Sequence, residues 1–379
     1  MDTNEPPSDG SEATSESFDQ PSAPAESLAP EPLQPIAFDF TGKTGEYFRI
    51  WIVNLLLTVV TLGIYWPWAL VRSRRYFYAR TKLDGHSFDY LAKPKNLLIG
   101  YAIAVILAAA YFLAGLFNPL FVFPVIIVYG IAAPWMVYKA LRFRARNTMY
   151  RNVRFKFGGS LGDSYTTYLV WAFAVPFTFG LIVPFWEMKK KEYFLDNLQF
   201  GKSLFRFKPQ AGEYYKWYLA FFAIGIGLYI GFIALLVGAG GFLASASYAV
   251  PGQTDLAFII PMVATYLLII VIMVVFQQGL WMCIFNYNMT VLDMGSLGFE
   301  SRMKFWKFIG VMVSSVLASV FSLGMLVPWA KIRIAKYKLE NAVVLAPGGR
   351  IGSFVEAEQD DEGALGEAAT DFMDFEIGL

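Results

Sequence analysis

Long runs without a charged residue alternate along this chain with short, strongly basic stretches. Residues 97–117 and 120–140 carry no charge until Lys139 and are separated only by Asn118-Pro119. Residues 217–243 and 256–283 form a second uncharged pair, joined by a turn-rich stretch. About 20 apolar residues cross a bilayer core, so these four runs predict transmembrane helices.

Three further apolar runs, 50–71, 164–186 and 308–330, break near their ends at one signature. It reads Thr61-Leu62-Gly63-Ile64-Tyr65-Trp66-Pro67-Trp68 in the first and Thr178-Phe179-Gly180-Leu181-Ile182-Val183-Pro184-Phe185 in the second. The third is Ser322-Leu323-Gly324-Met325-Leu326-Val327-Pro328-Trp329. A base follows each Pro by five residues (Arg72, Lys189, Arg333) and a Tyr by nine (Tyr76, Tyr193, Tyr337). Self-similarity of this kind marks an internal repeat. Gly permits a sharp turn and Pro opens a helix well, so each run reads as a helical hairpin.

Charge decides how the runs are expected to sit. The whole chain has 31 Lys plus Arg against 30 Asp plus Glu, a formal +1. Residues 1–42 and 351–379 each hold nine acids and no base, which leaves 31 bases against 12 acids, a net of +19, between them. If all seven runs cross, 12 of the 31 bases fall on the outer side; if the three hairpins enter and return, none does. The positive-inside rule favours the second arrangement. Short strand signals at 36–40, 87–90, 153–157, 204–208, 289–292 and 342–345, with apolar–basic alternation at 153–157 and 205–208, predict small strands in the basic layer.

The expectation is a mainly α, integral membrane fold: four transmembrane helices plus three re-entrant or interfacial helical hairpins, with short β-strands at the cytoplasmic face. Seven spans is the alternative. The predicted units are a disordered acidic tail (1–35), repeat unit 1 (36–95), a helix pair (96–140), repeat unit 2 (141–210), a helix pair (211–288), repeat unit 3 (289–350) and a second disordered acidic tail (351–379).

The first unit runs from Phe38-Asp39-Phe40-Thr41-Gly42 through the Gly63 signature to Arg72, Arg75, Tyr76 and Leu83-Asp84-Gly85. It resembles the bacterial YjgN-like family of multi-pass inner-membrane proteins, which carry a domain of unknown function. The later copies, with Pro184 and Pro328-Trp329, extend the likeness over roughly residues 36–350. The second copy departs from it at Phe185 and Glu192. The resemblance implies a bacterial inner membrane and no catalytic residue; both tails are expected on the cytoplasmic side if the hairpins enter and return.

Candidate function follows from the turns and the bases. Broken helices are where transporters place binding sites, which nominates Gly63, Pro67, Trp68, Gly180, Pro184, Gly324, Pro328 and Trp329. Arginine forks suit phosphate, and anionic lipid attracts bases near the surface. That nominates Arg72, Arg75, Tyr76, Arg144, Arg146, Lys189, Tyr193, Arg333 and Tyr337. A passive channel or transporter for a small polar or anionic solute fits these features. A membrane scaffold that binds anionic lipid is the alternative. With one His (His86) and one Cys (Cys283), a Cys/His metal site and the usual triads are disfavoured, and no enzyme, cofactor or nucleic-acid partner is expected.

Overall fold

The computed structural model describes residues 31–249 and 254–362. The first unit is β1 (Leu33–Phe40), α1 (Thr44–Val60), α2 (Trp66–Arg80) and β2 (Thr81–Leu83). The same order, strand, helical pair, strand, continues in β3 (His86–Tyr90), α3 (Pro94–Phe117), α4 (Val122–Arg146) and β4 (Thr148–Tyr150). The third unit is β5 (Val153–Phe157), α5 (Leu161–Tyr165), a π-helical turn (Thr166–Val170), α6 (Trp171–Phe177), α7 (Val183–Leu195) and β6 (Leu198–Phe200). The fourth is β7 (Ser203–Phe207), α8 (Ala211–Ala249), α9 (Thr254–Thr290) and β8 (Leu292–Met294). The fifth is β9 (Leu297–Ser301), α10 (Phe305–Phe321), α11 (Val327–Glu340) and β10 (Ala342–Pro347), after which comes α12 (Gly352–Glu362).

The ten strands form one closed antiparallel barrel in the order β1-β10-β9-β8-β7-β6-β5-β4-β3-β2. β1 closes it by dividing its length: Leu33 to Ala37 pair with β10, and Phe38 to Phe40 pair with β2. Each unit is joined to the next by a two-residue hairpin. Asp84-Gly85 and Arg151-Asn152 have positive φ at both residues, the I′ pattern, whereas Gly201 and Gly295 alone are positive in their turns, the II′ pattern. Both patterns match the right-handed twist of the flanking strands. Because strand directions alternate, all helical pairs leave from one rim and all tight turns lie at the other.

Alternation along the strands sorts the residues. Tyr150, Val153, Phe200, Phe205, Phe207, Leu292, Met294 and Val344 form the buried interior. Asp39 sits opposite Lys82, and Arg206 opposite Asp293, on the outer face. A barrel wider than eight strands has room beyond what aliphatic side chains fill. Here aromatic rings take it up, with Phe88–Tyr150 at 4.6 Å and Phe155–Phe200 at 5.0 Å between centroids. Strands of three to eight residues with charges outside are too short and too polar to cross lipid.

These findings correct the expected architecture. Four transmembrane helices with three hairpins is not the organising plan, and neither is seven spans; a closed ten-stranded barrel is. Among the described residues two helices are long and apolar enough to cross a membrane, Pro94–Phe117 and the stretch Pro119–Arg146. Each of the six strand stretches overlaps a barrel strand, but residues 289 and 290 belong to α9. The three-residue strands β2, β4, β6 and β8 are too short to show a period, and closure depends on pairings far apart in sequence. The acidic tail expected from 351 is also corrected in part. Ile351 and Val355 are buried in the barrel interior, and α12 lies against the tight-turn rim. The first tail, expected to run to 35, is corrected as well, since Leu33 to Pro35 pair with β10; residues 1–30 and 363–379 lie outside the described residues.

Candidate functional site

The three signatures adopt one turn. Leu62, Phe179 and Leu323 have φ of 51°, 50° and 50°, and the glycines after them 93°, 81° and 90°. Gly63 N–H donates to Thr58 O (2.7 Å), Gly180 N–H to Val175 O (2.9 Å) and Gly324 N–H to Ser319 O (2.8 Å). With Leu62 N–H on Val59 O, and its counterparts, this is the Schellman arrangement that satisfies the last carbonyls of a helix. The hydroxyl at the head of the first and third signatures links the two helices: Thr61 Oγ1 accepts from Tyr65 N–H (3.0 Å) and Ser322 Oγ from Leu326 N–H (2.9 Å), whereas Thr178 Oγ1 donates to Ala174 O (3.0 Å). Pro67, Pro184 and Pro328 are buried in the first turns of α2, α7 and α11.

The tyrosines of the signature are clasps. Tyr76 Oη donates to Lys43 O (3.0 Å), Tyr193 Oη to Ser160 O (2.9 Å) and Tyr337 Oη to Lys304 O (3.3 Å). Each acceptor is the residue just before the hairpin's first helix, so the returning helix holds the outgoing one at the rim. Burial pushes Tyr193 up to about 12, which keeps the donating proton in place. Tyr76 is also raised, chiefly by burial.

The bases serve different ends. Arg75 donates to the carbonyls of Ala92 (2.8 Å) and Tyr90 (3.3 Å). Arg333 donates to Ser314 Oγ (2.7 Å) and lies over the Trp329 ring at 5.0 Å. Lys189 pairs with Glu192 at 2.7 Å. Arg72 and Arg144 are exposed, and Arg146 is half-buried near the end of α4. Trp68 stacks on Tyr65. Of the polar residues within the hairpins, Thr58 Oγ1 donates to Asn54 O (2.7 Å) and Ser319 Oγ to Ser315 O (2.8 Å), along their own helices, while Asn54 Nδ2 donates across to Ala69 O (3.2 Å).

Around the barrel α1 packs against α11, so the first and last hairpins are neighbours. The α6/α7 pair stands apart, with α3/α4 and α8/α9 between it and them. The signature tips face outward: Leu62, Phe179 and Leu323 are 93%, 95% and 94% exposed.

A groove of about 360 Å³ runs between α2 and the α3/α4 pair. Its floor is made by Gly100 and Ala104 on α3 and by Ala133, Val137 and Ala140 on α4; Trp66 and Pro67 at the hairpin turn form one wall, Tyr101 and Tyr129 others. The sequence reading nominated Pro67 but passed over Gly100, Ala104, Ala133 and Ala140, whose signal is small side chains at helical spacing in otherwise bulky runs.

The sequence matches the profile of the family described as "Bacterial protein of unknown function (DUF898)" over residues 35–372. The chain belongs to that family. It is also similar to the inner membrane protein YjgN of Salmonella typhimurium (strain LT2), 37% identical over 123 residues, which is 32% of this chain and 31% of that protein. The inner membrane protein YjgN of Escherichia coli (strain K12) is 35% identical over 133 residues, 33% and 32% of the two chains. The match thus spans about a third of the length of these relatives. No solved structure matches.

Proposed function

We propose that this member of the family is a non-enzymatic, multi-pass protein of the bacterial inner membrane that gathers anionic lipid at the cytoplasmic face. The barrel and its tight-turn rim, from which β1 starts and α12 follows β10, stand in the cytoplasm, and the helical pairs enter the bilayer. The relatives named as inner membrane proteins support the inner membrane as the location.

The observation that carries the reading is the position of the bases. Arg75 and Arg80 near the end of α2, Lys93 and Lys95 around the start of α3, Arg144 and Arg146 in the last turn of α4 and Lys304 before α10 all lie at the helix-bearing rim. A basic collar therefore meets apolar helices where headgroups would lie, each base being worth about 1 kcal/mol near an anionic leaflet. Permeation is less well supported. The barrel is filled by side chains, and the signature turns bond internally.

Lipid retained by the full chain in mild detergent tests this. It should be enriched in anionic species over the source membrane, less so as salt rises. Retained lipid of bulk composition would overturn the reading, and solute flux through proteoliposomes would favour permeation.

A further inference from the structure

The collar explains diffuse attraction, but the groove beside the first hairpin has the features of a single built site. Its volume of about 360 Å³ holds roughly a dozen groups the size of water, at about 30 Å³ each, and a methylene is of similar size. Its floor belongs to α3 and α4, the two helices among the described residues with the length and apolarity to cross a membrane. The medium around that floor is then acyl chain. The groove also has a direction. On α4 the lining residues Ala133, Val137 and Ala140 follow at spacings of four and three, which sets them on one helix face. Arg144 takes the next place on that face, about 6 Å toward the barrel at 1.5 Å per residue. Its side chain is exposed and has no ion-pair partner among the described residues. At the opposite end stand Tyr129 and the turn of the first hairpin. An apolar trough with an exposed guanidinium one helical turn beyond its last lining residue matches the two halves of a phospholipid.

We propose that this groove holds one anionic phospholipid, its acyl chain along Gly100, Ala104 and Ala133 and its phosphate on Arg144. This rests on the lipid reading above and adds a defined position to it. The small residues make the trough, because a bulky side chain at Gly100 or Ala104 would occupy it. The hairpin signature makes the wall, since Gly63 brings its backbone against Tyr101; a Cβ there would sit 3.0 Å from the Tyr101 hydroxyl. The bidentate fork of Arg144 suits a phosphate diester better than a point charge would.

The test uses the full-length protein in nanodiscs of mixed phosphatidylethanolamine and phosphatidylglycerol, released for native mass spectrometry. Wild type should retain one phosphatidylglycerol per chain. Ala104→Phe should lose it, and Arg144→Gln should keep a lipid but lose its preference for the anionic one about tenfold, the equivalent of one charge-assisted hydrogen bond. Retention by folded Ala104→Phe equal to wild type would overturn the site, as would an unchanged preference in Arg144→Gln. A lipid-free dimer that Ala104→Phe converts to monomer would overturn it in favour of a second copy as occupant. Should Ala104→Phe not fold, the exposed Arg144→Gln decides by its preference alone. Either variant result leaves the bulk enrichment around the collar to be judged separately, so failure of the site and failure of the lipid reading are distinguishable.

Discussion

The residues that make the signature recognisable are spent on the turn itself. Gly supplies positive φ, Thr61 and Ser322 bond across the turn in the first and third copies, Pro fills the next helix's first turn, and the Tyr nine residues on ties the two legs together. Tyr193 shows how tightly the last of these is coupled to the fold. Its hydroxyl donates to Ser160 O at 2.9 Å, and burial raises its pKa to about 12. The folded state therefore favours the protonated phenol. The stability this provides is complete below pH 10, the unfolded value, and is lost as pH rises toward 12. Tyr193→Phe should cost about 1 kcal/mol at neutral pH and weaken that alkaline loss, as read by denaturant unfolding in detergent over this range. An unchanged midpoint at neutral pH would mean that the clasp contributes nothing. Tyr150 follows the same sign: its hydroxyl donates to Leu83 O at 2.6 Å, and burial pushes it to about 12.

At the scale of the element, each hairpin turn places a large apolar residue in the left-handed region, where an L side chain is strained. Phe179 is the clearest case, at φ 50° and 95% exposed. Among the described residues nothing buries it to repay the strain. Lipid is the natural partner for such a side chain, which agrees with a tip that enters the bilayer. Phe179→Gly should relieve the strain, so the protein in detergent should gain about 1 kcal/mol, measured as a raised unfolding midpoint. A lowered midpoint would show that Phe179 has a packing role. The hairpins were legible in the sequence because Gly, Pro and Tyr act locally and recur at fixed spacing. The strands were half legible. Val153-Arg154-Phe155-Lys156-Phe157 alternates over five residues, whereas Leu198-Gln199-Phe200 offers three. The groove was hidden because Gly100 and Ala133 acquire meaning only when α3 and α4 are placed beside α2.

At the scale of the whole molecule, the barrel needs a stopper. Its interior opens at the tight-turn rim, and α12 closes it with Ile351, Phe354 and Val355. Glu358 holds the helix there. It accepts from the backbone N–H groups of Lys202 (2.5 Å) and Ser203 (3.3 Å) and from Ser203 Oγ (2.6 Å). Arg151 adds an ion pair to Glu356 at 3.5 Å, and Gln359 donates to the Arg151 carbonyl. Glu358→Ala should leave the β6–β7 turn short of acceptors at a cost of about 1–3 kcal/mol. Proteolysis within residues 352–362 and binding of an apolar dye to the opened mouth would report it. A protease pattern identical to wild type would show that α12 is held without Glu358. Acidic composition made this segment look like a solvated tail, because the few apolar residues at helical spacing were outnumbered by carboxylates.

The manner of barrel closure sets an order of events during synthesis. β1 must wait for β10, its partner, and more than 300 residues are made in between. Until then β1 has an unpaired edge, and so does each newly made strand at the other end of the growing sheet. Every helical pair has left the ribosome by the time β10 emerges, so insertion into the bilayer can precede closure. A membrane that holds the helix ends at one level would then align the strand pairs in a row. On the placement proposed above, the bilayer would serve as a jig for a barrel that stands outside it.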